Sequence, residues 1–213
     1  MRTYLALLSV LTLLVLPFPV RPLPLDVPSV PHRTTILGYD RAEFGPGWAS
    51  GPDRCDTRTR VMAAAFGTDC TRPWPQWEAA AVPDPYTGDP LLPHDVEIDH
   101  ILPVSAAWDL GAHRWDAATR TRFYNDPANL IAVSAEANQA KGDKLPSEWM
   151  PDAWRSRCAY GRRMVDVAKQ YALPLPKADL RAVRRATGPP ESRAVRRSPR
   201  ANPPSEIGRA SCR

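Results

Sequence analysis

An acidic and a basic side chain stand next to each other in the sequence VEIDHILPV, which covers residues 96–104. Asp99 supplies a carboxylate, a hard oxygen ligand of the kind that Mg²⁺ prefers. His100 supplies an imidazole, whose ordinary pKa lies near neutrality. Such a pair can hold a divalent cation and deprotonate a water molecule, which is the chemistry of metal-assisted hydrolysis. A lone Asp-His pair at a strand end is common, so this interpretation needs support from other residues.

A second group of polar residues follows in PANLIAVSAEANQAKGDKLPSEW. The amide of Asn129 both donates and accepts, so it can orient an imidazole. Asn138 offers a carbonyl oxygen as another hard ligand, and Lys141 offers a point charge for a phosphate. Each residue also has an ordinary structural interpretation: a turn for Asn129, an exposed helix face for Asn138 and a helix C-terminus for Lys141.

The first pair requires a strand that stops at the right place. Apolar and acidic residues alternate over residues 96–99, which predicts a strand with one apolar face. Strict alternation would send Asp99 and His100 to opposite faces, so the strand is expected to end or bulge at His100. Pro103 fits such an end. Glu97, on the face of Asp99, is either a supporting acid or simply exposed.

The second group requires a strand followed by a helix. Residues 130–133 predict a brief apolar strand, and Ser134 is a natural N-cap for a helix over residues 135–141. Asn138 and Lys141 are three positions apart and therefore share one helix face. The predicted order is thus a strand, a long excursion, a second strand and a capped helix.

These residues and their order resemble the HNH endonuclease superfamily. Its signature is D-H-x-x-P, then Asn, then His or Asn, with a Lys nearby. The run NQAKGDKLPSEW is similar to the corresponding segment in the HNH domain of CRISPR effector nucleases. The span from Gly38 to Leu173, with GYDRAEF and CDTR, resembles small secreted bacterial HNH proteins and, more loosely, the GmrSD-type C-terminal domain. The third signature position is Asn138 rather than His, a variant that affects the metal more than the activity.

The resemblance implies an α+β protein with a ββα-metal core, surrounding helices and a loop-rich N-terminal part. It implies that Asp99 and Asn138 bind Mg²⁺, with Mn²⁺ as the alternative, and that His100 is the general base. Asn129 would orient His100, and Lys141 would contact a phosphate. The implied activity is hydrolysis of phosphodiester bonds in DNA with low sequence specificity, and RNA is the alternative substrate.

Two other functions stay open at this point. An exported, non-catalytic protein on the same scaffold could bind polyanions through its Arg-rich tail. The presence of the acid, the base and both amides argues against a decayed enzyme. A nuclease toxin with an immunity partner would share the chemistry and differ only in its partner.

The charge of the chain is unevenly placed. The net charge is +5, but residues from 177 onward hold ten Lys/Arg and three Asp/Glu, against eighteen and twenty before them. The folded part is therefore not basic overall, and binding of nucleic acid has to come from a few local cations. We expect weak, salt-sensitive binding through residues such as Lys141, Lys144, Arg120 and Arg122.

The ends of the chain differ in composition from the middle. Residues 1–20 are predicted to be a secretory signal peptide, without a clear cleavage site, so we expect a secreted protein without stable membrane association. Residues 21–33 are predicted as a Pro-rich linker, 34–176 as the HNH domain and 177–213 as a basic disordered tail, beginning with a short helix. The final EIGRASCR resembles the translated read-through of a sequencing adapter and is interpreted as an artefact.

Export makes the four cysteines candidates for disulfides. Cys55 and Cys70 flank an apolar segment and are predicted to pair with each other, which leaves Cys158 over. No CxxC or paired Cys/His spacing indicates a zinc site.

Overall fold

A computed structural model of the protein describes residues 25–152 and 154–187. The predicted signal peptide and the part of the tail beyond residue 187 lie outside the described residues. No helix in the described ranges combines the length and apolarity that crossing a membrane requires.

Helices and small sheets alternate along the described chain, so the predicted α+β class is confirmed. The helices are α1 Thr57–Phe66, α2 Val104–Leu110, α3 Ala117–Tyr124, α4 Ala135–Lys141, α5 Trp154–Gln170 and α6 Lys177–Thr187. The strands are β1 Ser29–Val30, β2 Val82–Pro83, β3 Pro90–Leu91, β4 Val96–His100, β5 Leu130–Ser134 and β6 Leu175–Pro176.

The antiparallel pair β4 and β5 is the longest sheet in the described residues. Its register runs from Val96 opposite Ser134 to His100 opposite Leu130, so β4 ends at His100 as predicted. Helix α4 follows β5 directly and contacts both strands. The Ser134 hydroxyl accepts the Ala137 amide at 3.3 Å, which caps the first turn of α4.

The two faces of β4 meet different surroundings. Val96 and Ile98 belong to a small apolar cluster under the sheet. Its other buried members are Met62, Leu91, Leu130 and Ala132. Glu97 and Asp99 point the other way, toward α4, because successive side chains of a strand alternate between faces. Burial of the apolar face therefore turns the acidic face of β4 toward the helix that carries Asn138.

The N-terminal described segment packs on the domain, which differs from the predicted linker. Val27 is buried, and β1 pairs in parallel with β6. The Arg33 guanidinium donates to the Asp109 carboxylate at 2.6 Å. Proline content had suggested a linker, but proline excludes a residue only from the donor side of a ladder and permits an edge strand.

The basic helix predicted after residue 176 is present as α6, but it belongs to the domain rather than to a tail. Leu180 and Val183 lie three positions apart on its buried face, and α6 contacts α5 closely. Gly161 of α5 lets the helices approach, since a Cβ at this position would stand 3.1 Å from Val183. The domain therefore extends to residue 187 at least.

Cys55 and Cys70 form a disulfide, as predicted, with an S–S distance of 2.07 Å. Cys158 is also disulfide-bonded. The expectation that Cys158 is left over is therefore wrong.

Candidate active site

A cleft of about 340 Å³ opens beside the end of β4 and the face of α4. Three of the residues predicted from the sequence line it together: Asp99, His100 and Asn138. Tyr39, just before the short helix Arg41–Phe44, and Arg41, its first residue, add to the lining. The strand end and the helix thus bring an acid, an imidazole and an amide to one concave surface.

His100 is held in one tautomer. Its Nε2 lies 2.9 Å from the Tyr124 carbonyl oxygen, and a carbonyl only accepts, so Nε2 carries the hydrogen. The lone pair of His100 is then on Nδ1. The Trp48 ring stacks on the imidazole with an interplanar angle of 10°, which fixes the plane of the ring. Burial lowers the pKa of His100 to about 3, so the imidazole is neutral.

Asp99 is buried, and both of its oxygens are engaged. The Tyr86 hydroxyl donates to Oδ2 at 2.6 Å, and the Lys141 ammonium donates to Oδ1 at 2.9 Å. Burial raises the pKa of Asp99, and the contacts with Lys141 and Tyr86 oppose this shift. Each carboxylate oxygen has a second lone pair, so Asp99 can still donate to a cation from the cleft side.

Lys141 is fully buried, with 0% of its surface exposed. Its ammonium donates to Asp99 and to the His100 carbonyl oxygen, each at 2.9 Å. Burial lowers the pKa of Lys141, and the nearby Asp99 carboxylate opposes the shift. Lys141 was predicted to contact a phosphate, but its ammonium group instead bonds to the residues at the end of β4.

Asn138 is oriented by Glu97. The Asn138 Nδ2 lies 2.7 Å from the Glu97 carboxylate, which only accepts, so the amide nitrogen faces Glu97. The carbonyl oxygen Oδ1 of Asn138 is thereby left for a ligand. Asp99 and Asn138 together offer a carboxylate and an amide oxygen on one cleft, a donor set that fits a hard divalent cation such as Mg²⁺.

The sequence predicts that Asn129 orients the His100 ring, but its side chain bonds elsewhere in the structure. Its Oδ1 accepts the Leu102 amide at 2.8 Å, and its Nδ2 donates to the Leu102 carbonyl at 3.2 Å. Both ends of the buried side chain are thus used on the backbone just after β4. Asn129 fixes the path of the chain leaving His100, while the Tyr124 carbonyl holds the ring itself.

Several residues around the cleft were not singled out from the sequence. Three of them, Trp48, Tyr86 and Tyr124, lie in loops or at helix ends, where no hydrophobic periodicity marks a position. Arg41 lies in GYDRAEF, a motif that the sequence analysis used only as part of the resemblance to HNH proteins. By contrast, the cations expected to grip substrate do not line the cleft. Arg120 donates to Glu43, Lys144 donates to the Ala140 carbonyl and Arg122 donates to Thr119.

A separate group of potential metal ligands lies at Asp53, Cys55 and Cys70. The two sulfurs are joined in the disulfide and have no thiolate to offer, and Asp53 forms an ion pair with Arg60. This group therefore does not compete with Asp99 and Asn138 as a cation site.

Two comparisons with known proteins found similar sequences. Residues 75–174 match the family of GmrSD restriction endonucleases, C-terminal domain. The chain is also 35% identical, over 202 residues, to an uncharacterized secreted protein of Arthroderma benhamiae. The aligned region covers 85% of this chain and 95% of that protein. No solved structure matches the chain.

The matched family segment contains every residue of the cleft described above except Tyr39 and Arg41. The chain belongs to the same family as the secreted Arthroderma protein, and its residues 75–174 are similar to the GmrSD restriction endonuclease C-terminal domain. The similarity of residues 75–174 points to a nuclease-type hydrolase. The prediction of a secreted protein is confirmed, and the Cys55–Cys70 disulfide fits an extracellular environment.

Proposed function

We propose that the protein is a secreted, metal-dependent HNH endonuclease that hydrolyses phosphodiester bonds of DNA with low sequence specificity. The observation that carries the proposal is the tautomer of His100, which leaves the lone pair on Nδ1, in a residue that lines one cleft with Asp99 and Asn138. The order of β4, β5 and α4 along the chain, and the packing of α4 against both strands, support a ββα-metal core. The similarity of residues 75–174 to the GmrSD restriction endonuclease C-terminal domain supports nucleic acid as the substrate.

Asp99 and Asn138 would hold the divalent cation, Mg²⁺ in the first place and Mn²⁺ as the alternative. When bound, the cation supplies positive charge that stabilises the negative charge developing on the phosphate and the leaving oxygen. Lys141 and Tyr86 keep the Asp99 carboxylate in place by their hydrogen bonds. Glu97 keeps the carbonyl end of the Asn138 amide turned away from itself.

His100 would take a proton from the attacking water through Nδ1. The Tyr124 carbonyl holds the opposite nitrogen, and the stacked Trp48 ring prevents the imidazole from turning out of plane. Asn129 contributes indirectly, because its two bonds to Leu102 set the backbone that follows His100. Lys141 acts as a positioning residue behind the strand, rather than as a contact with the substrate.

The test is incubation of the mature protein with supercoiled plasmid, single-stranded DNA and RNA, each with Mg²⁺ or with a chelator. We expect Mg²⁺-dependent nicking of plasmid without a fixed fragment pattern. Plasmid that is bound but intact at every Mg²⁺ concentration would favour a non-catalytic polyanion-binding protein. Cleavage of RNA alone would reassign the substrate.

A His100→Gln variant provides the matched control, because Gln can still donate to the Tyr124 carbonyl but is not a base. Cleavage should fall by roughly 10² to 10⁴, the usual range for loss of a general base, while Mg²⁺ affinity stays similar. A His100→Gln protein that cleaves at the parent rate would contradict the proposed mechanism.

A further inference from the structure

The cleft that carries His100 has an unusual charge pattern for a surface that would receive a polyanion. Its charged lining residues in the described chain are Asp99, Asp143 and Arg41. The Asp143 carboxylate is paired with Arg33 at 3.0 Å, and Asp99 is paired with Lys141. Arg41 is thus the only cation among the described residues that line the cleft.

The guanidinium of Arg41 is held in place before any substrate arrives. Its Nε and Nη2 donate to the Tyr124 hydroxyl at 3.2 and 3.1 Å. The Arg41 Cζ atom lies 5.3 Å from the centre of the Tyr124 ring. A guanidinium has five N–H donors, so these two contacts leave donors free, including both on Nη1. Because Arg41 is exposed, the free donors can reach an incoming anion.

Tyr124 connects this guanidinium to the candidate base. Its hydroxyl accepts from Arg41, while its backbone carbonyl accepts from His100 Nε2. One residue therefore fixes both groups with respect to each other. An anion bound at Arg41 would lie in the cleft that His100 also lines.

From this arrangement we infer that Arg41 binds the phosphate group that is cleaved, and that Tyr124 positions it for that role. The inference rests on the proposed function. It assigns the phosphate contact to Arg41 instead of the cations predicted from the sequence, which are Lys141, Lys144, Arg120 and Arg122. A planar, bidentate donor suits a phosphodiester better than a point charge does. Charge that develops on the phosphate would strengthen the contact, so Arg41 should affect turnover more than binding.

The test compares Arg41→Ala, Arg41→Lys and Tyr124→Phe with the parent, using supercoiled plasmid and bis(4-nitrophenyl) phosphate. The small diester has no remote phosphates, so it reports only contacts with the cleaved group. Arg41→Ala should lower kcat/KM by about 10² on both substrates, mainly through kcat. Arg41→Lys should fall between, because Lys keeps the charge and loses the fork.

Tyr124→Phe removes the hydroxyl that holds Arg41 and keeps the carbonyl that holds His100. Its loss of activity should be smaller than that of Arg41→Ala. The double variant Arg41→Ala/Tyr124→Phe should be no less active than Arg41→Ala alone, as expected for residues that act through one contact. Arg114→Ala serves as the matched control: Arg114 is an exposed arginine that does not line the cleft, so activity should stay at the parent level.

Binding separates the inference from the proposed nuclease activity. Anisotropy of a fluorescent DNA duplex is measured against salt concentration in the His100→Gln background with and without Arg41→Ala. Loss of one phosphate contact should reduce the slope of log K against log salt by about 0.9. If the parent cleaves nothing but this slope change appears, the nuclease proposal fails and the phosphate contact stands.

Three results would overturn the inference. The first is an Arg41→Ala protein that cleaves both substrates at the parent rate, and the second is an Arg41→Ala protein that binds DNA with an unchanged salt slope. The third is a loss on plasmid with none on the small diester, which would place Arg41 on a phosphate remote from the cleaved bond.

Discussion

Asp99 and Lys141 form an ion pair that is almost completely removed from water. Two buried charges in contact stabilise a fold little on balance, because their desolvation offsets their attraction, but removing one of them leaves the other unpaired. The pair also fixes the end of β4, since Lys141 bonds to the His100 carbonyl as well. The charge of Lys141 is therefore more important for the folded state than for contact with substrate.

A Lys141→Met variant tests this placement. It should lower the free energy of unfolding by about 3 to 5 kcal/mol, the usual cost of leaving a buried charge without its partner. Urea denaturation at constant pH measures the change. Lys144→Met is the control, because Lys144 is exposed and its loss should change stability by no more than about 0.5 kcal/mol. A Lys141→Met protein as stable as the parent would show that the ammonium does not hold Asp99.

At the level of elements, the turn from β4 into α2 depends on Asn129. This side chain is fully buried, and its two hydrogen bonds satisfy both backbone groups of Leu102. It thereby joins the start of β5 to the residues after the end of β4. Two elements that carry parts of the site are coupled through one amide.

Asn129→Ala should therefore lower the stability of the protein as well as its rate of cleavage. Leaving the Leu102 N–H and C=O without partners costs about 1 to 3 kcal/mol. Asn129→Asp is a useful comparison, because a carboxylate can still accept from the Leu102 amide but cannot donate to its carbonyl. Because this carboxylate would be buried, without a cationic partner and against the Leu102 carbonyl oxygen, we expect Asn129→Asp to be at least as destabilised as Asn129→Ala in thermal unfolding at neutral pH. An Asn129→Ala protein with unchanged stability would contradict this structural role.

The elements of the site could be predicted from the sequence because their signals are local. Alternation over residues 96–99 and the Ser134 cap gave β4 and α4, and with them the meeting of Asp99, His100 and Asn138 on one cleft. The partners of these side chains could not be predicted in the same way. Tyr124 lies 24 positions after His100, and Arg41 lies 83 positions before Tyr124, so only the folded chain brings them together.

For the whole molecule, the long irregular stretch between α1 and β2 is fastened by the Cys55–Cys70 disulfide. The bond closes a loop of 15 positions, for which chain-entropy arguments give about 3 kcal/mol of stabilisation. Cys55→Ala/Cys70→Ala should lower the free energy of unfolding by this amount, measured by urea denaturation without reductant. Reductant is avoided because it would also open the bond of Cys158. Equal stability of variant and parent would show that the loop is held by its other contacts.

The pairing of β1 with β6 has a consequence for the order in which the protein is completed. Ser29 lies opposite Leu175, so the first strand of the described chain can pair only once one of its last segments is present. Synthesis proceeds from the N-terminus, and contacts between such distant positions form late because a long loop has to close. The β1–β6 pair therefore forms only after residue 176 has been synthesised, which for an exported chain is near the end of the folded domain.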